Sequence, residues 1–342
     1  GFRNYKKREF EFTSETVLVV GPNGAGKSNF MEGVMLLTRG ESFRATKIEE
    51  MVRWQDEVGR VKGRVKMDGE AIDLEVVLTR GEVQGERVAK RKYLINGVVK
   101  RRIDFTGKLG VVLFRPEDLD LIGGSPTQRR GWLDEVLGNG DKDYFRSLVS
   151  YEKALRRRNK ILDLIREGEI NRTQLTFWDQ LLVRHGGVLT EKRRNLIDKV
   201  NQFWREEKVK LRLDYDFSAI SEKRLEQYSQ EEVAAGYTLV GPHKDEVMFV
   251  ETGRKRERDL TIYGSRGEQR MAVLRLKLAE LRFAQEQRGE RPMLLLDDIF
   301  SELDGEHRRI VMTLVGQQQT VLTTTDVKLI GKIKGIEVIK LE

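Results

Sequence analysis

The sequence predicts an α/β protein: a phosphate-loop sheet, an antiparallel β subdomain, and a helical subdomain with a short antiparallel helix pair. Three observations carry that prediction. First, Thr16-Val17-Leu18-Val19-Val20 feeds into Gly21-Pro22-Asn23-Gly24-Ala25-Gly26-Lys27-Ser28, and Phe30, Met31, Val34 and Leu37 then recur at helical spacing. The order is strand, glycine-rich loop, helix, which is the context a phosphate loop needs. Second, Met293-Leu294-Leu295-Leu296 is a buried-strand run that ends in Asp297-Asp298. Third, residues 58–105 alternate in short segments broken by glycines, a hairpin pattern, whereas residues 142–207 carry apolar residues seven apart.

Each element has a physical reason. In the loop, glycines let successive backbone N–H groups turn inward around phosphates, and the following helix adds the positive end of its dipole. Gly21 through Ser28, with Asn29, are the expected nucleotide-binding residues. Lys27 is expected to neutralise the β- and γ-phosphates, and Ser28 to ligate Mg²⁺. Farther on, Leu148, Leu155 and Leu162 share a seven-residue spacing, as do Leu182, Leu189, Leu196 and Phe203, around a turn at Arg166-Glu167-Gly168-Glu169-Ile170-Asn171. This predicts paired antiparallel helices with heptad-like seams, too short for a long coiled-coil arm. Residues 208–263 read as short strands, including Tyr237-Thr238-Leu239-Val240. The remainder alternates helix and strand and closes the sheet.

The carboxylate strand lies about 270 positions after the phosphate loop. One site built from both ends requires the intervening chain to fold back on itself. The C-terminal end of a central strand is where α/β sheets hold ligands. Asp297 is expected to hold Mg²⁺, directly or through water, and Asp298 to orient or deprotonate the attacking water; Asp298 and Lys27 are the expected catalytic pair. A third segment, Tyr263-Gly264-Ser265-Arg266-Gly267-Glu268-Gln269-Arg270, precedes a helix with Met271, Leu274, Leu278 and Leu281 on one face. Ser265, Gly267 and Gln269 at that helix start form a second candidate anion site.

Composition narrows the class. A chain of 342 residues accommodates one large or two ordinary domains. No apolar run approaches the roughly 20 residues that span a bilayer, so no membrane partner is expected. The absence of cysteine excludes disulfides and thiolate metal sites and points to a reducing, cytoplasmic interior. His185, His243 and His307 stand singly, against a histidine metal site, and His243 after Gly241-Pro242 reads as turn-stabilising rather than catalytic. The net charge is +8, with clusters at Arg87–Lys92, Lys100–Arg102 and Arg156–Lys160. That excess suits nucleic acid and equally a solvated surface. Arg129 and Arg130 fit DNA contact, partner contact or an exposed helix face; Arg156–Lys160 is the better DNA candidate.

The Ser265–Gln269 segment, some 30 residues before the carboxylates, resembles the signature motif of the ABC ATPase superfamily. There the motif meets the ATP of a second subunit, and Ser301-Glu302-Leu303-Asp304 resembles the D-loop at the same interface. Within that superfamily, four segments resemble the RecF family of bacterial DNA replication and repair proteins, which is SMC-like: Gly40–Arg44, Ser125–Asp134, Thr238–Glu246 and Leu294–Asp304. The resemblance runs from Phe2 to about Asp326. It implies an ATPase head of ABC/SMC type with parts at 1–125, 126–236 (the helical lobe) and 237–342. It also implies slow, DNA-stimulated ATP hydrolysis and ATP-dependent homodimers on duplex DNA or single-strand/duplex gaps. RecR and RecO-type mediators are the implied partners, and recombinase loading, recombinational repair and replication-fork maintenance the implied roles. Three features depart from the superfamily pattern: Val321–Asp326 carries no switch histidine, Asp298 replaces a glutamate, and Arg266 replaces a small residue in the signature. An energy-coupling ABC transporter ATPase subunit is the alternative reading.

Overall fold

The computed structural model describes residues 1–67, 69–253, 255–327 and 335–342. The chain packs as two compact units, one of Gly1–Asp118 with Ala284–Glu342 and one of Leu119–Phe283. It crosses between them near residues 118 and 284, whereas the part boundaries read from sequence are at 126 and 237.

In the first unit, five parallel strands form a sheet in the order Ile336–Lys340, Thr16–Val20, Thr320–Thr324, Met293–Asp297 and Val111–Phe114. Four of the sequences are apolar runs, with Thr in two of them, because both faces of a parallel sheet are covered; the edge strand Ile336–Lys340, with Glu337 and Lys340, is half-buried or exposed. Strands from the two ends of the chain thus lie side by side. The register sets Val19 beside Thr323, and Thr323 beside Asp297. Since all five strands run the same way, the Gly21 loop and Asp298 leave the sheet at one edge with a single strand between them.

The helix Lys27–Arg39 packs on this sheet and on a four-stranded antiparallel sheet of Val58–Met67, Glu70–Thr79, Arg91–Ile95 and Val98–Lys100. Phe30, Met31 and Met35 enter one core with Val17, Val19, Leu113, Leu295 and Val321. Leu36 and Leu37 enter another with Phe2, Leu74, Val76, Leu78 and Phe105. Each buried side chain is worth about 1.5–3 kcal/mol, and anchoring on two sides fixes the helix rotation. That rotation decides where Lys27 and Ser28 point. Gly40 ends the helix in the left-handed region (φ 67°), with its N–H on the Leu36 carbonyl; a Cβ there would meet the Tyr93 ring at 2.5 Å.

The second unit holds the helix pair Lys142–Arg166 and Thr176–Glu206. Leu182, Leu189, Leu196 and Phe203 are all buried, as the heptad spacing predicts. On the first helix the seam differs from expectation. Tyr144, Ser147, Tyr151, Ala154, Arg158 and Leu162 are buried, while Leu148 and Leu155 are only partly so. The reason is polar: Arg158 and Arg193 are buried and need partners, so the helices meet over tyrosine, serine and alanine around them.

Residues 208–263 also differ from the all-strand reading. They contain a three-stranded sheet of Arg258–Asp259, Glu246–Glu251 and Leu211–Asp216, but also helices Glu222–Gln227 and Ser229–Ala235. Tyr237–Val240 is not a strand. Its backbone is held by side chains instead: the Thr238 N–H donates to Asn159 Oδ1 (2.9 Å) and the Leu239 N–H to Glu232 Oε1 (2.8 Å). The helix Arg266–Arg288 carries the chain out of this unit.

Candidate nucleotide site

The loop between Val20 and Lys27 has the shape a phosphate cradle needs. Gly24 and Gly26 adopt positive φ (87° and 106°), where a side chain is costly. At Gly26 there is also no room, since a Cβ would lie 2.6 Å from Tyr5 Oη. That hydroxyl donates to the Gly26 carbonyl at 3.0 Å, bracing the loop from the N-terminal segment. Among the described residues no side chain caps the helix that begins at Lys27, so its first N–H groups are left for a ligand. Pro22, Asn23 and Gly24 are exposed, whereas Lys27 is buried. Its ammonium donates to the carbonyls of Gly21 (2.8 Å) and Pro22 (3.1 Å).

The carboxylates meet this loop as expected from sequence. Ser28 Oγ donates to Asp297 Oδ1 at 3.3 Å. A second donor to the same oxygen is Thr323 Oγ1, at 2.7 Å. The Thr323 hydroxyl in turn accepts the Asp298 N–H at 2.9 Å. Asp298 is in the left-handed region (φ 50°, ψ 24°), a conformation that costs a non-glycine residue roughly 1–2 kcal/mol. Its Oδ1 is buried with no hydrogen-bond partner among the described residues. Burial raises the Asp298 pKa above the ordinary carboxylate value; Lys27 opposes this, and Asp297 and Glu302 add to it.

Hard oxygens at Ser28 and Asp297, with the orphaned oxygen of Asp298 beside them, fit Mg²⁺. That ion takes one or two protein oxygens and completes its shell with phosphate and water.

Glu32, Arg3 and Asn4, which sequence reasoning passed over, support this centre. Glu32, wholly buried one turn into the helix, accepts from Arg3 Nε at 2.7 Å and Nη2 at 2.6 Å and from the Ser42 hydroxyl. Asn29 donates to Asn4 Oδ1 (2.8 Å) and accepts from Arg44 (2.8 Å). The available signal was Glu32 itself, an acid set between Met31 and Met35 in the apolar middle of the helix.

Ser265, Gly267 and Gln269 belong to the second unit, at the start of Arg266–Arg288. Ser265 and Glu268 form a reciprocal cap: the Ser265 N–H donates to Glu268 (2.8 Å) and the Glu268 N–H to Ser265 Oγ (3.3 Å). Gln269 Nε2 donates to the Leu260 carbonyl at 2.8 Å. A Cβ at Gly267 would meet nothing within 4 Å. Just before this turn, Ile262 and Tyr263 are 70% and 66% exposed. At the end of Ser301–Asp304, Asp304 caps the following helix through the Glu306 and His307 N–H groups, and His307 beside it pulls its carboxyl down to about 2.

Several basic residues considered for DNA are structural. Arg129 is buried and pairs with Glu246 at 2.7 Å while donating to the carbonyls of Ile122 and Gly124. Arg130 donates to the Asp245 carbonyl at 2.9 Å. Arg158, in the middle of the Arg156–Lys160 cluster, is 2% exposed and pairs with Asp179 and Glu232. A buried arginine in such pairs is unavailable to phosphates. His243 is structural as expected: Nδ1 accepts from Tyr151 Oη (2.7 Å), leaving Nε2–H to donate to the Thr238 carbonyl (3.0 Å).

The comparisons agree with this architecture. The family model for the RecF/RecN/SMC N terminal domain matches residues 1–333. The chain is 35% identical to a DNA replication and repair protein RecF from Cyanothece sp., over 95% of this chain and 89% of the relative. Against RecF of Bacillus subtilis it is 32% identical, over 95% and 91%. A solved structure of the recombination mediator protein RecF-ATPrS in the RecFOR pathway superposes with TM-score 0.87 at 31% identity, covering all of this chain and 94% of that one. An Smc head domain from Pyrococcus yayanosii, 11% identical at TM-score 0.50, shares the fold alone. These matches do not favour the transporter alternative. Agreement in sequence over nearly the whole length, and in fold, places the chain in the RecF family.

Proposed function

We propose that this chain is an ATP-hydrolysing, DNA-binding protein of recombinational repair and replication-fork maintenance, with a nucleotide site completed by a second copy. The observation that carries the reading is the 3.3 Å approach of Ser28 to Asp297 across 269 residues of chain, beside a helix start that no side chain caps among the described residues. In this reading Gly21–Ser28 and Asn29 hold ATP, and Ser28 and Asp297 hold Mg²⁺. When bound, that ion draws charge from the phosphate oxygens. Lys27 leaves the Gly21 and Pro22 carbonyls for the β- and γ-phosphates, and Asp298 takes a proton from the attacking water.

The second copy contributes Ser265, Gly267 and Gln269. Support for this comes from the exposed Ile262 and Tyr263 beside Ser265, apolar surface that a partner would cover. ATP then acts mainly as an interface ligand: it favours the dimer by its differential affinity for the closed state. In functional terms the parts are 1–125 and 237–342 as the ATPase body and 126–236 as the helical lobe. The net charge of +8 supports DNA as the partner. RecF relatives bear the name of DNA replication and repair proteins, and the RecFOR setting of the solved relative supports RecO- and RecR-type proteins as further partners in loading recombinase at gaps. The proposed site of action is the cytoplasm, where such DNA work takes place; among the described residues no helix is long and apolar enough to cross a membrane.

Binding to gapped, duplex and single-stranded DNA, measured with ATP and with ADP over a range of salt, tests the proposal. The expected result is tighter binding with ATP that weakens steeply as salt rises. Nucleotide-independent, salt-insensitive binding would overturn it.

A further inference from the structure

The helix pair carries a groove that the nucleotide site does not use. Lys153, Arg157, Lys160, Ile161 and Leu164 line it from Lys142–Arg166, and Trp178 lines it from the facing helix; its volume is about 460 Å³. Positions 153, 157, 160 and 164 recur at helical spacing and share one face. The three cations are exposed, while Ile161, Leu164 and Trp178 are half-buried and form an apolar floor. Phe177, edge-on against Trp178 at 5.0 Å, is 60% exposed. No acid lines it.

We infer that this groove docks an acidic segment of a partner protein, anchored by one large apolar side chain. Charge complementarity specifies the acid: three cations over one concavity favour carboxylates on either side of the anchor. The floor specifies the anchor, because Ile161, Leu164 and the Trp178 ring offer area but few hydrogen-bonding groups. A nucleobase seated there would lose water from its polar edges without replacement, which is costly, whereas an aromatic or leucine side chain gains by burial. The volume is within the range of preformed ligand sites. Duplex DNA, with its phosphates on a stiff convex surface, would meet the cations and leave the floor empty. This inference goes beyond the nucleotide-site reading and does not depend on it.

The test uses the full chain and fluorescence anisotropy of labelled probes. The probes are a peptide of about a dozen residues with Asp and Glu around a Leu-Phe pair, the same peptide with Ser for Leu-Phe, a neutral peptide keeping Leu-Phe, and oligothymidine; the acidic anchored peptide should bind best. Arg157→Glu with Lys160→Glu should weaken it at least tenfold, and Trp178→Ser should do so without charge reversal. Both variants should keep the ATP turnover that the parent shows without DNA. Absence of binding by the anchored peptide, or equal binding by the charge-reversed variant, would overturn the inference. Tighter binding of oligothymidine that is lost in both variants would also overturn it and assign the groove to single-stranded nucleic acid.

Discussion

Thr323 Oγ1 donates a 2.7 Å hydrogen bond to Asp297 Oδ1, and through that bond the middle strand of the sheet orients the carboxylate that faces Ser28. The same hydroxyl accepts the Asp298 N–H at 2.9 Å, so one side chain fixes both acids. Thr323→Val keeps the shape and removes the hydroxyl, leaving Asp298 in its left-handed conformation with only the weaker 3.2 Å bond to the Thr323 carbonyl. The expected cost is about 1–2 kcal/mol of stability by denaturant unfolding. ATP turnover should fall at least about tenfold while ATP affinity changes little, since geometry and not binding is lost.

Asp298 acts as a base only when ionised, and burial has raised its pKa. Turnover should therefore fall, as pH is lowered, at a point above the ordinary carboxylate range. Asp298→Asn keeps the left-handed backbone, which Asn tolerates, and removes the acid. It should lower turnover by about a hundredfold or more and prolong ATP-dependent dimers. Its stability at neutral pH should be equal or higher, because the fold favours the uncharged form of this side chain. An unchanged acid limb in a turnover-against-pH profile of the variant would show that another group titrates.

Glu32 and Arg3 form a buried, two-bond ion pair beneath the phosphate-loop helix. Arg3→Ala leaves the Glu32 carboxylate with Ser42 and the more distant Arg44, at 3.7 Å. A loss of about 3 kcal/mol is expected, in line with breaking one side of a buried pair. ATP affinity should fall as well, because Glu32 anchors the helix whose first turn holds Lys27 and Ser28. Calorimetric unfolding and nucleotide titration on the same sample check both effects.

His243 is held neutral by burial, which pushes its pKa down to about 4 from an ordinary 6.5. Its folded value lies below its unfolded value, so the unfolded chain binds more protons between these limits. The contribution is therefore fully present above pH 6.5 and is lost as pH falls toward 4, by up to about 3 kcal/mol in total. Replacement by Gln should flatten that part of the stability–pH curve. Chemical denaturation of the two proteins at closely spaced pH values measures the difference.

Much of the nucleotide centre was legible because its parts obey local rules. A strand, glycines at left-handed positions and a helix start must be contiguous, and a strand ending in two acids stands out in any sequence. The supporting residues were not legible, because Thr323, Arg3 and Asn4 act through partners remote in sequence, and nothing local marks them. The seam of the first arm helix failed for a related reason. Heptad spacing of Leu148 and Leu155 describes an apolar interface, whereas Arg158 and Arg193 demand buried acids, so the helix turned tyrosine and alanine inward. Likewise Thr238 and Leu239 look like strand residues, yet Asn159 and Glu232 take their N–H groups.

The central claim is that Ser265 completes the ATP site of another copy. The reciprocal cap with Glu268 determines how it is best tested: Ser265→Asp preserves helix capping while placing a carboxylate toward phosphate. Sedimentation velocity of the parent and of Ser265→Asp, each with and without ATP and with ATP binding verified separately, measures the claim directly. ATP-dependent dimers are expected for the parent, and monomers for a variant that still binds ATP. Dimers of equal stability in the variant would contradict it.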